Sequence, residues 1–204
     1  MYTPKYYQIT ETQESVDFMR KYSFATIVTV IDNIPTATHL PFIVEQRDDK
    51  VVLISHFAKL NHQAQDIFNC KPLVIFTEPH AYISPSHYEK ELNVPTWNYL
   101  AVHAYGTATL IDKDEDVKDV LEKTISFYEA GYMNQWKNLP PDFKYGMMKG
   151  IVAFEIVVDD LQGKKKLSQN KTAKEIENII SAFSKSSNYN EQDIAHYMEK
   201  LQKG

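Results

Sequence analysis

Glycine is what this chain withholds. There are six in 204 residues, and the first is Gly106. A P-loop or a Rossmann fingerprint gathers several glycines around a strand-to-helix turn, so both are excluded from the first half. The later Gly131, Gly146, Gly150 and Gly163 are isolated. A phosphate held by such a chain must be gripped by side chains and a helix N-terminus, not by a glycine nest.

The remaining pattern reads as antiparallel β structure with helices added late. Phe24 to Ile31 (FATIVTVI) is β-branched and stops at Asp32-Asn33, a two-residue hairpin turn. Ile34 to Glu45 returns as a strand, with a bulge expected at Pro41. Lys50 to His56 is a third strand. Leu60, Ala64, Ile67 and Phe68 have helical spacing, so a helix is expected over 59–68. Pro72 to Thr77 and Ala81 to Ser84 are strands, and Trp97 to Asp112 is a long one with room for a bend at Gly106. A helix over 117–128 follows, then a short one ending near Met148. Ile151 to Val158 (IVAFEIVV) is apolar on both faces apart from Glu155, as in a central strand. There Glu155 is expected to pair with a buried cation. Thr172-x-x-Glu175 is a capping box, and a last helix runs from about Asn190 to Leu201. The expected fold is mainly β with peripheral helices (α+β), an antiparallel Greek-key split β-barrel. The barrel domain is assigned to 1–163, and a basic loop with a helical hairpin to 164–204.

Ala81 to His103 is unusual for either a core strand or a surface loop. It places Tyr82, Tyr88, Trp97 and Tyr99 among small polar residues, with Pro85 and Pro95 on either side of a Glu89-Lys90-Glu91 loop. Aromatic bodies with polar tips suit a shallow site for a flat polar ligand, and they suit a barrel corner that only packs.

Charge and cysteine bound the partners. The net charge is -5, which argues against nonspecific nucleic-acid binding by the whole body. From Lys164 onward eight lysines face five acids, a net of +3 that leaves -8 on residues 1–163. DNA contact, if any, is therefore expected through the C-terminal segment. One cysteine, Cys70, excludes an intrachain disulfide. The N-terminus has no secretory h-region and no run suits a membrane helix, so a cytoplasmic location is expected. No HExxH or close histidine pair suggests a metal.

Six segments occur in a familiar order: MYTP at 1–4, THLPF at 38–42, SHFAKLN at 55–61, AYISPS at 81–86, VPTWNYLAVH at 94–103 and GKKKLSQNK at 163–171. In these the chain resembles the PaiB-type proteins, FMN-binding negative transcriptional regulators. The resemblance implies an FMN-binding split barrel of the pyridoxamine-phosphate-oxidase type, a homodimer with flavin between subunits. The family usually reads Gly-His-x-Ala-Arg-x-Asn-Pro where Ser55, Lys59 and His62 replace glycine, arginine and proline here. Lys171 likewise stands for the arginine that usually ends the C-terminal motif. Positive charge persists, but a bidentate guanidinium fork does not, so a weakened grip on FMN, or its loss, is an expectation too.

On that resemblance, Ser55, His56, Lys59 and Asn61 are assigned to the FMN phosphate, where a strand passes towards a helix. Thr38 and His39 are placed near a ring edge, Trp97 and Asn98 on the isoalloxazine, and Lys166, Ser168 and Gln169 on a polar run that reaches the site. Ordinary capping, core packing and a solvated loop explain the same residues equally simply. No catalytic acid or base can be named. A flavin-dependent oxidoreductase and a cofactor-free dimeric interaction protein of the same fold remain the alternatives.

Overall fold

The computed structural model describes residues 1–203. The N-terminal turn leads into β1 (Gln8–Ile9) and α1 (Thr12–Lys21). Then come β2 (Phe24–Ile31), β3 (Ile34–Pro41), β4 (Ile43–Arg47) and β5 (Lys50–Ala58). A short α2 (Gln63–Asp66) precedes β6 (Leu73–Ile83) and β7 (Thr96–Ile111). Three helices follow: α3 (Asp114–Glu129), α4 (Met133–Asn138) and α5 (Pro141–Met148). The chain ends with β8 (Ile151–Lys166), α6 (Ala173–Phe183) and α7 (Tyr189–Lys203).

The sheet order is β3-β2-β6-β7-β8-β5-β4, with β1 added on β8. The β2–β3, β2–β6, β4–β5, β5–β8 and β1–β8 ladders are antiparallel. β3 and β4 end the order and no ladder closes it among the described residues. This is the expected antiparallel split-barrel fold with peripheral helices.

Local chemistry accounts for the connections. Asp32 and Asn33 both take positive φ, 50° and 63°, the conformation of a type I′ turn whose twist matches paired strands. It sets the eight-residue register from Phe24↔Pro41 to Ile31↔Ile34. At Phe42 the expected single strand breaks in two: the ring is fully buried and the amide donates to Ser23 O at 2.8 Å.

The chain forms two compact units. One comprises Val16–Phe76 and His103–Leu161; the other comprises Met1–Ser15, Thr77–Val102 and the residues from Gln162 onward. The first is built on stacked and edge-on rings: Phe57 lies 5.0 Å from Phe154, Phe42 6.3 Å from Phe154 and 5.9 Å from Phe76. A second cluster joins Val52, Ile54 and Ala153 to Val117 and Val120 of α3. Gly106 is required here, because a Cβ would stand 2.3 Å from the Val157 carbonyl oxygen. In the other unit α6 packs on α7, burying Ile179, Phe183, Ile194 and Met198. The Thr172 hydroxyl and Glu175 carboxylate complete the expected capping box on α6. Gly163 admits Ile9, whose Cβ would meet an added methyl at 2.7 Å.

Two further sequence expectations are corrected. The helix over 59–68 is a turn followed by four residues of α2 and one 3-10 turn. Leu60, expected inward, is 93% exposed. Helix formation waits for Gln63 because the Asn61 carboxamide accepts the Gln63 N–H at 3.0 Å, an Asx turn that competes with a longer helix. The strand over 151–158 instead runs to Lys166. Asp159, Asp160 and the lysines look like loop residues, yet the Gln8↔Lys164 and Ile9↔Gly163 pairs with β1 carry the strand on.

Candidate functional site

In the first unit, β5 delivers Ser55 and His56 to opposite faces, as the two-residue period of a strand requires. Ser55 is buried, and its hydroxyl donates to Pro41 O at 2.7 Å. That proton is spent on backbone and is not presented to a ligand. His56 is half-buried, and burial pushes its imidazole below the usual histidine range. It is neutral near pH 7 and can offer one hydrogen bond but no charge.

Beyond the strand the turn is held by a network. Lys59 N–H donates to Gly150 O at 2.8 Å. Thr38 of β3 donates to Gln63 Oε1 at 2.6 Å and accepts from Asn61 Nδ2 at 3.0 Å. Gln63 is fully buried, and its Nε2 donates to Ile27 O and Thr36 O at 3.2 and 3.1 Å. Sequence reasoning missed Gln63. The only available signal was a glutamine beside Ala64 and Ile67 at inward-facing positions. The network fixes Thr38 and Asn61 and leaves the Lys59 ammonium exposed, with no side-chain partner among the described residues. His39 is exposed on β3, with Nδ1 2.9 Å from Thr26 Oγ1 and its ring stacked near Phe24 at 6.4 Å. The structure thus brings together Thr38, Asn61 and Gln63, with Lys59 on the same turn.

The other unit treats its assigned residues differently. Asn98 is fully buried; it accepts from the Ser168 hydroxyl at 3.1 Å and directs Nδ2 at Met198 Sδ, 3.6 Å away. Ser168 is buried at a positive φ of 61°. Gln169 closes the turn, accepting from Leu167 N–H and donating to Lys165 O, both at 2.7 Å. Lys166 is the last residue of β8, not part of a loop, and it donates to Thr96 Oγ1. Burial, and then the charge of Lys164, push its ammonium below the usual lysine range. Trp97 is the exception: it is 51% exposed, and its ring lies 5.7 Å from His80 and 5.9 Å from Tyr82.

A third polar group lies in the first unit. Arg47, Lys113 and Lys123 line a cavity of about 410 Å³ together with Asp112, Asp116, Asp119 and Glu155. Arg47 pairs with Glu155 at 2.6 Å and Glu45 at 2.9 Å, and Lys123 with Glu45 at 3.0 Å. The cation beside Glu155 is therefore Arg47, which is exposed and not buried as expected. Arg47, Lys123, Glu45, Glu155 and Asp119 thus satisfy one another. No group of three or more His, Cys, Asp or Glu is placed to hold a metal among the described residues, and no helix there is long and apolar enough to cross a membrane.

A family model described as "Putative FMN-binding domain" matches residues 1–160. The Bacillus subtilis protein "Protease synthase and sporulation protein PAI 2" is 42% identical over 207 residues, covering 100% of this chain and 99% of that one. Among solved structures, the FAD and heme binding protein from Mycobacterium smegmatis shares the fold at a TM-score of 0.63 and 16% identity, covering 86% of this chain and 79% of that one. The flavocytochrome Anf3 from Azotobacter vinelandii does so at 0.63 and 13%, covering 81% and 72%. The chain belongs to the FMN-binding domain family of the PaiB type, and FMN is the cofactor that membership assigns to it.

Proposed function

We propose that this member of the family is a homodimeric FMN-binding protein of the PaiB type that acts as a negative transcriptional regulator. Its flavin phosphate is seated at the turn after β5. The observation that carries the seat is the exposed Lys59 ammonium, left without a partner on a turn that Asn61, Thr38 and Gln63 hold in place. A fixed turn carrying an unspent cation suits a phosphate, because charge-assisted bonds form there with little ordering left to do. The neutral His56 adds a hydrogen bond, Asn61 holds the turn through Thr38 and the Gln63 N–H, and Thr38 and His39 lie towards the ring. Ser55 supports the strand rather than the ligand. Asn98, Lys166, Ser168 and Gln169 serve the other unit's own architecture.

Titration with FMN and riboflavin tests the seat. FMN should bind more tightly, by roughly 1.5–3 kcal/mol for each charge-assisted bond. Lys59→Ala should erase that preference while leaving riboflavin affinity in place. Equal affinities in the wild-type protein refute the seat.

Assembly rests on the outer side of the β2–β3 hairpin. Phe24 and Val30 are 68% and 52% exposed, with Pro35 and Ala37 exposed in the paired strand. Isologous pairing is the usual way to cover such a face. Light scattering should return twice the 23.6 kDa chain mass.

DNA contact through the C-terminal segment has fewer lysines than the charge count suggests. Lys165 is bound to Glu14, Lys166 to Thr96, Lys171 to Asn93 and Lys174 to Glu177. Lys164 is buried. Lys185, Lys200 and Lys203 remain exposed, so the contact rests on them. Reversing all three to glutamate should abolish salt-dependent retardation of duplex DNA. Retention would remove the segment from the DNA reading.

A further inference from the structure

The sheet order ends at β3 and at β4, and the chain finishes these edges differently. An edge strand presents unpaired N–H and C=O groups, which proteins blunt with charge or cover. β4 is blunted in both ways. It carries Glu45 and Arg47, Arg20 Nε donates to Val44 O at 3.0 Å, and α3 packs against it. β3 reads IPTATHLP over 34–41, without Asp, Glu, Lys or Arg. Ile34, Pro35, Thr36 and Ala37 are all exposed, so both faces of this part of the strand are bare. β2 is the strand that pairs with it, and no other does so among the described residues.

The hairpin fixes which backbone groups point at that edge. Residues flanking a two-residue turn exchange both N–H···O bonds, and along the ladder bonded and non-bonded pairs alternate. Ile31↔Ile34, Thr29↔Thr36, Ile27↔Thr38 and Ala25↔Leu40 are then the bonded pairs. Pro35, Ala37, His39 and Pro41 turn their backbone groups away from β2. Gln63 agrees with this phase: its Nε2 reaches both Ile27 O and Thr36 O, at 3.2 and 3.1 Å, because both carbonyls face into the space between β2 and β3. The same rule applied to the Arg47↔Lys50 hairpin turns Val44 outwards, and Val44 O is the atom that Arg20 takes. On β3, Pro35 and Pro41 have no N–H, and Pro41 O accepts from Ser55. The open edge narrows to Ala37 and His39, whose N–H groups have no acceptor among the described residues.

We propose that this edge pairs with the same edge of a second copy, antiparallel about a two-fold axis at Thr38, so that the two sheets become one. The proposal rests on the homodimer reading above and names the backbone through which the copies meet. The strand matches itself in that register. Ala37 stands opposite the partner's His39, and such a pair exchanges both of its N–H···O bonds. Thr38 meets the partner's Thr38, a β-branched pair suited to a ladder. Pro35 meets the partner's Pro41, so residues without an N–H face one another and no donor is stranded. This self-match, on an edge left without charge, selects a second copy as the occupant.

Ala37→Pro in the full-length protein is the test. The Ala37 N–H faces the edge, so the substitution removes an intermolecular donor and no β2–β3 bond, and proline is accepted at such a position. By light scattering the parent should have twice the 23.6 kDa chain mass. Ala37→Pro should have the single-chain mass at the same concentration, with an unchanged far-ultraviolet circular dichroism spectrum. Ala37→Thr keeps the N–H and should remain dimeric. Residue-resolved hydrogen exchange of the parent carries the test should the proline variant fail to fold. The Ala37 and His39 amides should be protected, and dilution that separates the copies should remove that protection. A folded Ala37→Pro protein that stays dimeric, or rapid exchange at both amides in a dimeric parent, overturns the edge pairing. If Val30→Glu then separates the copies, the homodimer reading survives on the face of the hairpin while the edge pairing falls. A single-chain mass for the parent overturns both.

Discussion

The turn at 55–63 and the segment at 164–172 are written in nearly the same alphabet of serine, asparagine, glutamine and lysine, and they put it to opposite uses. At the turn, Asn61 and Gln63 spend their carboxamides on backbone and on Thr38, and the lysine is left over. In the segment every lysine from 164 to 171 is directed at a neighbour within the same unit. A polar composition does not by itself mark a binding site. What marks one is charge that remains after the backbone and the buried carboxamides have been satisfied.

The contrast can be broken by mutation. Gln63→Ala should have the largest effect, about 3 kcal/mol lost in urea denaturation, because Ile27 O, Thr36 O and Thr38 lose a buried partner together. Asn98→Ala should cost about 2 kcal/mol, since Ser168 then loses its acceptor at a strained backbone position. If Asn98→Ala proves the costlier, the turn is not the more tightly braced region. Lys59→Ala should change stability by less than about 0.5 kcal/mol, as expected of an exposed, unpaired side chain. A larger loss would mean that Lys59 has a structural task, and the distinction between the two regions would collapse.

Acid sharpens the same comparison. Burial lowers His56 below its ordinary value of 6.5. Below that pH the unfolded chain binds a proton that the folded chain resists, so unfolding free energy rises with pH through this window. Melting temperature should therefore fall as the pH drops from about 7 towards 5.5. His56→Gln should flatten the slope. Burial of His103 acts in the same direction and leaves a residual slope. A melting temperature that rises on acidification would mean that His56 gains a partner when charged.

Elements whose local chemistry and tertiary surroundings agree were legible in the sequence. Asp32-Asn33 fixed a hairpin, and Thr172-x-x-Glu175 opened α6 where expected. The motif order led to the FMN-binding family. What the sequence hid depends on partners far along the chain. β8 continues past Asp160 because β1 pairs with it, more than 150 residues away in sequence. The helix expected from Lys59 shrank because Asn61 found Gln63 N–H first. For the site, Ser55 and Lys59 could not be told apart as donors until Pro41 O was seen to take the Ser55 hydroxyl. Gln63 was invisible because burial of a glutamine depends on two carbonyl acceptors and a hydroxyl donor that no local pattern announces.

The inward-directed lysines also decide where a protease can enter. Trypsin needs a lysine on backbone that can be pulled out of register. Lys164, Lys165 and Lys166 lie within a strand, and Lys171 is pinned to Asn93. Lys185 sits exposed in the short connection between α6 and α7. The chain's most basic stretch is thus armoured against the enzyme that favours basic residues, while a solitary lysine downstream is the natural nick. After that cut α7 would remain docked on α6 by packing alone, as a noncovalent fragment complex of two peptides.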